Sequence, residues 1–185
     1  MDESPSDSST ASAPSDAAAS SASSSEKGSS GDPVVRRYGT GDETAIRRVF
    51  ERAMRAAGTD PTDVPGTQDL DWIEAAYLDT GGEFLVVETD GEVVATGGLA
   101  VDGDVGELFR VAVDPDHQRA GHGSRLLAAL EDAARERGVE RIVLTTALRQ
   151  DAAVDFYTDH GYEQTGRDRH GEYRLFHFTR RLGED

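Results

Sequence analysis

Apolar positions recur along this chain with two different periods. Val34-Val35 before Arg36-Arg37-Tyr38 reads as a short first strand. Thr40, with Glu43 three residues on, fits a capping box, and the helix it would open places Ile46, Val49, Phe50, Ala53 and Ala57 on one face before Gly58 stops it. The segment to Thr67 is rich in proline and glycine and reads as a loop. A second helix is expected from about Asp69 to Leu78, with Leu70, Ile73, Tyr77 and Leu78 together. Then the pattern turns to strands. Phe84–Val87 and Val93–Ala95 flank Asp90-Gly91, a type I′ hairpin signal, and Asp102-Gly103 leads into a third strand from Glu107 to Val113. Leu126, Leu127, Leu130, Ala133 and Ala134 return to helical spacing. Arg141–Thr145 reads as a buried strand, about Asp151 to Asp159 as a helix ended by Gly161, and Tyr162–Gly166 with Glu172–Phe178 as a final hairpin around His170-Gly171. The order β-α-α-β-β-β-α-β-α-β-β predicts an α/β (α+β) fold: a mixed, mostly antiparallel sheet of about seven strands with helices on both faces. A doubly wound parallel sheet is excluded by the three-strand meander.

One stretch of this pattern carries chemistry. The apolar run ending at Val113 stops at Asp114-Pro115, a polar loop follows, and a helix opens at Gly121 and Gly123. The first amides of a helix lack intrahelical partners and sit at the positive end of its dipole, so a strand, a glycine-bearing loop and a helix N-terminus make a site for a phosphorylated ligand. Glycine is read here as letting a bulky phosphate approach the backbone.

Composition narrows the picture. Residues 1–33 hold thirteen serines and no aromatic residue, which predicts a disordered Ser/Asp/Ala-rich tail ahead of one domain over residues 34–185. The tail lacks the apolar core of a secretory signal, and no stretch is long enough to span a membrane, so a cytoplasmic protein is expected. There is no cysteine, which removes disulfides, thiolate nucleophiles and cysteine-bound zinc. Acids outnumber bases 36 to 19, and Lys27 is the only lysine. A net charge of -17 repels nucleic acid. An acidic, lysine-poor surface is of the kind seen in proteins adapted to molar salt; an ordinary acidic protein is the alternative.

Two motifs then bring in a resemblance. Gln118-Arg-Ala-Gly121-His-Gly123, preceded by Val111-Ala-Val113-Asp-Pro115, resembles the Gln/Arg-x-x-Gly-x-Gly/Ala loop of the GNAT N-acetyltransferase superfamily. Ala153-Val-Asp-Phe156-Tyr157-Thr-Asp-His-Gly161-Tyr162 is similar to that superfamily's Ala-x-x-Phe-Tyr-x-x-x-Gly-Phe segment. The likeness covers roughly residues 34–178. It implies that acetyl-CoA binds at the loop as co-substrate and that its acetyl group passes to an amine acceptor, a small molecule or a protein N-terminus or side chain, by direct attack. Carried over, Val111, Ala112 and Val113 offer strand backbone to the pantetheine arm, although the valines have an equal claim as core. Gln118, Arg119, Ala120, Gly121, His122, Gly123 and Ser124 surround the pyrophosphate, with a protonated His122 side chain a further candidate for the phosphate. Tyr157 becomes the general acid for the leaving sulfur. Gln150 stands where many members have asparagine, seven residues before the tyrosine, and is carried over as a cofactor contact through its longer amide.

For the base, strand alternation puts Glu107, Phe109, Val111 and Val113 on one face and Leu108, Arg110 and Ala112 on the other. Glu107 then lies two steps before the cofactor-binding valines and is the expected base; binding a cationic substrate, or lying solvated at a hairpin end, are the alternatives. A non-catalytic acyl-CoA sensor is the competing function. A P-loop reading fails for want of Gly-Lys-Ser/Thr. No metal is expected: His117 and His122 have no convincing third ligand. Glu74, Asp79 and Asp69 are candidate walls of an acceptor pocket, and monomer and homodimer are both open.

Overall fold

The computed structural model describes residues 31–148 and 152–183. Seven strands form one sheet: β1 (Val34–Arg37), β2 (Glu83–Thr89), β3 (Glu92–Asp102), β4 (Val105–Val113), β5 (Arg141–Leu148), β6 (Glu163–His170) and β7 (Tyr173–Arg181). Their order is β1-β2-β3-β4-β5-β7-β6. Every neighbouring pair is antiparallel except β4 and β5, which run parallel. Helices cover both faces. On one, α2 (His122–Glu136) and α3 (Ala152–Asp159) close a core of Leu126, Leu127, Leu130, Ile142, Leu144, Tyr157, Tyr162, Phe176 and Phe178. On the other, α1 (Glu43–Ala56) packs Ile46, Val49, Phe50 and Ala53 with Leu70, Ile73, Tyr77, Phe84 and Val86. The expected seven-strand, two-faced fold is the observed one.

Local chemistry explains most of the turns. Asp90 and Gly91 both take positive φ, 53° and 77°, as a type I′ hairpin requires. Residues 31–33 of the segment expected to be unfolded run beside this turn, where Gly31 N–H donates to Asp90 Oδ1 at 2.7 Å.

Four expectations need correction. The first helix has no Thr40 capping box: Asp42 is its N-cap and makes no side-chain cap bond there, because its carboxylate is engaged by both terminal nitrogens of Arg36. Glu43 does turn back, but to the amide of Gly41 at 2.8 Å. The second helix is not continuous. Thr67–Asp71 forms a 3₁₀ turn and Glu74–Leu78 a π turn, separated by Trp72 in a non-helical conformation. The apolar spacing still buries Leu70, Ile73 and Tyr77, since side chains three and four apart share a side in either geometry. The strands of the final hairpin run longer than expected, through His170 and Arg181, and the turn falls on Gly171-Glu172.

The correction with the greatest consequence lies in β4. Gly98 pairs with Phe109 and Thr96 with Ala112, so Arg110 and Val111 stand opposite Gly97 alone. This is a β-bulge, and Arg110 adopts φ 54°. A one-residue insertion reverses the alternation. Val111 and Val113 therefore join Leu108 in the α2-side core, while Phe109 and Ala112 belong to the α1 side. Glu107, next to Leu108, points to the α1 side. The expected grouping of Glu107 with Val111 and Val113 does not hold.

Candidate active site

The parallel pairing of β4 with β5 runs only from Val105–Arg141 to Leu108–Leu144. Beyond it the two strands part, and the bulge marks where β4 turns away. Into this gap opens a cavity of about 280 Å³ lined by both strands (Glu107 to Val111, and Leu144 to Ala147), by Phe50 and Met54 of α1, by Val64 and Pro65, and by Tyr157 and Leu175. The sequence-predicted Glu107, Val111 and Tyr157 thus meet in one cavity.

The bulge is held from the α1 side. Arg110 Nε donates to both oxygens of Asp69, at 3.1 and 3.0 Å, and Nη2 to the Pro65 carbonyl at 3.2 Å. Its guanidinium lies 5.5 Å from the Phe50 ring centroid. Asp69 also accepts from the Tyr77 hydroxyl at 2.5 Å. Tyr77 reaches that position because Gly98 has no side chain: a Cβ there would come within 2.6 Å of the ring. A left-handed conformation costs a non-glycine residue about 1–2 kcal/mol, and this network holds Arg110 in it. Asp69 serves the strand rather than standing free to meet a substrate.

From Val113 the chain enters the glycine-bearing loop. Asp114, 2 % exposed, accepts from its own loop at Asp116 N–H (3.0 Å) and from Arg52 of α1 (2.9 Å), so a buried carboxylate clamps the end of β4. Gln118 turns back and donates to the Val113 carbonyl at 3.3 Å. Arg119 and Gly121 take φ of 62° and 81°. The two glycines have different jobs. At Gly121 a Cβ would meet nothing within 4 Å, so the requirement is the left-handed backbone that starts α2. At Gly123 a Cβ would lie 3.3 Å from Phe156 and 3.4 Å from Val113, so that glycine lets α3 and β4 close on the helix. The first bond into α2 runs from Arg125 N–H to the Gly121 carbonyl, and the amides of His122, Gly123 and Ser124 precede it at the positive end of the helix.

The side chains of this turn point elsewhere. His122 is 7 % exposed with Nδ1 unpartnered; burial lowers its pKa, and His117 and Arg125 add to the effect. A lowered value leaves it neutral at pH 7, so the expectation of a protonated side chain for a phosphate is not met. Ser124 Oγ contacts His160 Nε2 at 2.8 Å, while His160 Nδ1 bonds the Phe156 carbonyl at 2.6 Å, so Nδ1 carries the hydrogen and Nε2 accepts from the serine. This tie between α2 and α3 was not foreseen from the sequence. Gln150 lies outside the described residues.

Tyr157 is 7 % exposed among Phe156, Tyr162 and Phe178, and burial alone pushes its phenol well above the ordinary tyrosine value. It keeps its proton throughout the neutral range. Burial also raises the Glu107 carboxyl. Glu74 and Asp79 lie on and just after the π turn and do not line the cavity. Among the described residues no group of three or more metal-ligating side chains occurs.

The acetyltransferase (GNAT) family profile matches residues 45–162, well over half of the chain. The chain belongs to this family. An uncharacterized N-acetyltransferase of Escherichia coli K12, YjgM, is 31 % identical over 137 residues, 71 % of this chain and 82 % of that protein. N-acetyltransferase 8 of Rattus norvegicus is 36 % identical over 105 residues, 53 % of this chain but only 47 % of its own length, so this GNAT chain spans about half of that relative. Among solved structures, yncA of Salmonella typhimurium, determined with its cofactor acetyl-CoA, superposes with a TM-score of 0.66 at 26 % identity, covering 83 % of this chain and 95 % of the other. No helix of the described residues is long and apolar enough to cross a membrane.

Proposed function

We propose that the chain is an N-acetyltransferase that moves an acetyl group from acetyl-CoA to an amine acceptor by direct attack, in the cytoplasm. The observation that carries this reading is the cavity in the sheet gap, where a buried, protonated phenol and a carboxylate meet between two parting strands. The residues present fit the co-substrate. The β4 edge from Phe109 to Val113 has no β5 partner, which leaves backbone groups for the amide-bearing pantetheine arm. The amides of His122, Gly123 and Ser124, reached through Arg119, Ala120 and Gly121, suit the pyrophosphate. Ala112 contributes backbone only, because its side chain is core, and Gln118 shapes the loop through its bond to Val113.

Acetyl-CoA supplies the acetyl group in activated form, as a thioester. Tyr157 holds a proton on its hydroxyl and donates it toward the departing sulfur. Glu107, on the α1 side of the gap, draws the acceptor's ammonium into the cavity, and its raised carboxyl makes it a base candidate as well. Phe50, Met54, Val64 and Pro65 exclude water around the acceptor. A Glu107→Gln variant is expected to raise the acceptor KM tenfold or more with the acetyl-CoA KM unchanged, as steady-state kinetics will show. An acceptor KM equal to wild type would remove Glu107 from the site. The reading as a whole is tested by incubating the full chain with acetyl-CoA and a panel of small amines, amino acids and peptides with free N-termini. Acetyl-CoA binding without turnover of any of them would favour the sensor function instead.

The charge balance supports a further proposal, that the enzyme works in concentrated salt. At about 1 M ionic strength, repulsion is screened within about 3 Å. The melting temperature is expected to rise by roughly ten degrees or more between 0.1 M and 2 M KCl. A flat dependence would identify an ordinary acidic protein.

A further inference from the structure

Three polar side chains on the α1 side of the sheet form a line that the function above does not use. Thr145 Oγ1 lies 2.9 Å from His177 Nδ1, and His177 Nε2 lies 2.7 Å from Asp168 Oδ2. The placement follows from register. Thr145 pairs with His177 across β5 and β7, and Asp168 pairs with Leu175, one pleat along from His177 on β6. Neighbours Leu144, Phe176 and Phe178 point into the α2-side core, so Thr145 and His177 point the other way. Glu107 pairs with Val143 in the parallel ladder, which sets Glu107 on that same face two residues before Thr145. Thr145 lines the cavity. The line therefore begins in the proposed acceptor site and ends at an Asp168 carboxylate whose side chain is 68 % exposed.

A second observation shows how the imidazole spans the gap between strands. The pairing of β6 with β7 shifts between Gln164 and Gly166, and Gly166 lies under the ring; a Cβ there would come within 3.2 Å of His177 Cδ2. Thr165 Oγ1 secures the irregular turn by donating to the His177 carbonyl at 3.3 Å. Glycine thus lets the ring lie across β6 and reach Asp168.

The partners set the tautomer. A carboxylate can only accept, so Nε2 carries the hydrogen and donates to Asp168, and Nδ1 is left to accept from the threonine hydroxyl. The hydroxyl oxygen keeps lone pairs for a donor in the cavity. We propose that Thr145, His177 and Asp168 form the route by which the acceptor amine loses its proton, with Thr145 in contact with the amine and His177 as terminal acceptor. This rests on the acetyltransferase reading. In the step, the acceptor N–H bond breaks and its proton joins Thr145 Oγ1, while the Thr145 O–H bond breaks and that proton joins His177 Nδ1. The ammonium becomes a free amine, and the neutral imidazole becomes an imidazolium paired with Asp168. The proton then leaves to solvent from this exposed end of the line. Glu107 holds the cation, and the hydroxyl and imidazole take its proton.

Among the described residues, the other titratable groups on the face of His177 are these: Asp168 contacts it from β6, Glu163 of β6 lies opposite Thr179 one pleat away, and Glu107 lies on β4. Tyr173 and His170 lie toward the hairpin end, where the Tyr173 hydroxyl donates to the Asp63 carboxylate and accepts from the Asp60 backbone N–H, and Arg141 and Arg181 lie toward the opposite end.

The test uses the full chain, acetyl-CoA and the primary amine that turns over fastest in the panel above. His177→Ala and Thr145→Val are each expected to lower kcat by about 10² or more, the range of general base catalysis, with both KM values within threefold. His177→Ala should also lose the acid limb of its pH–rate profile and recover activity with added imidazole. Asp168→Asn should lower kcat about tenfold or more with both KM values within threefold, because Nε2 loses the carboxylate that fixes its hydrogen and leaves Nδ1 free to accept. Nitrogen NMR of the wild type should show the hydrogen of His177 on Nε2. A wild-type kcat in His177→Ala, an acid limb kept in that variant, or a hydrogen on Nδ1 would overturn the route while leaving the acetyltransferase reading intact, as would loss of the acid limb in Glu107→Gln. Absence of turnover by the wild type with every amine would overturn both.

Discussion

Gly121→Glu is expected to abolish acetyl-CoA binding, with an affinity loss of at least 100-fold by calorimetry in high salt. Two effects add. A glutamate must adopt the φ of 81° that starts α2, which costs about 1–2 kcal/mol. It also sets a carboxylate at the positive end of that helix, where the proposed site receives a pyrophosphate, and like charges there oppose binding. Each 1.4 kcal/mol of lost binding free energy is tenfold in affinity. The space around the position is open, so the side chain itself meets no clash and the fold should survive. Gly121→Asn separates the two effects, since asparagine tolerates the left-handed region without adding charge, and it should bind within a few-fold of wild type. Unchanged affinity in Gly121→Glu would sink the phosphate-loop assignment.

Tyr157→Phe is expected to lower kcat by about 10²–10⁴, the range of general acid catalysis, while the acetyl-CoA KM stays within a few-fold. The ring remains to pack against Phe156, Tyr162 and Phe178, so only the hydroxyl is lost. The sign of the pH effect follows from burial. A raised phenol is protonated below its shifted value, so the acid form is present across the neutral range and is lost only above the ordinary tyrosine region near pH 10. Any basic limb of kcat below about pH 9 therefore belongs to another group. Equal changes in kcat and KM would make Tyr157 a packing residue.

Much of this site could be read from residue order. The glycine loop, the Phe156-Tyr157 pair and the meander are local signals, each set by the conformational needs of a few adjacent residues. The bulge at Arg110 could not be read so. Nothing in Leu108-Phe109-Arg110-Val111 breaks the alternation; the break comes from Asp69, Pro65 and Phe50, which are distant in sequence and grip the arginine. The discontinuous second helix was hidden for the opposite reason, because the same residues are buried whether the turn is α, 3₁₀ or π. The roles of Asp114 and His160 depend on partners more than 30 residues away.

The sequence by itself determined the order of the strands and of the three α-helices, the fold class, the family loop and the presence of the tyrosine and glutamate proposed for proton transfer. Backbone propensity and short-range periodicity are enough for those. The tertiary structure decided which face Glu107 serves, where β4 and β5 part to make a cavity, and that Thr145, His177 and Asp168 stand in line. Those depend on register between strands, and a single extra residue in one strand moves every side chain after it to the other face.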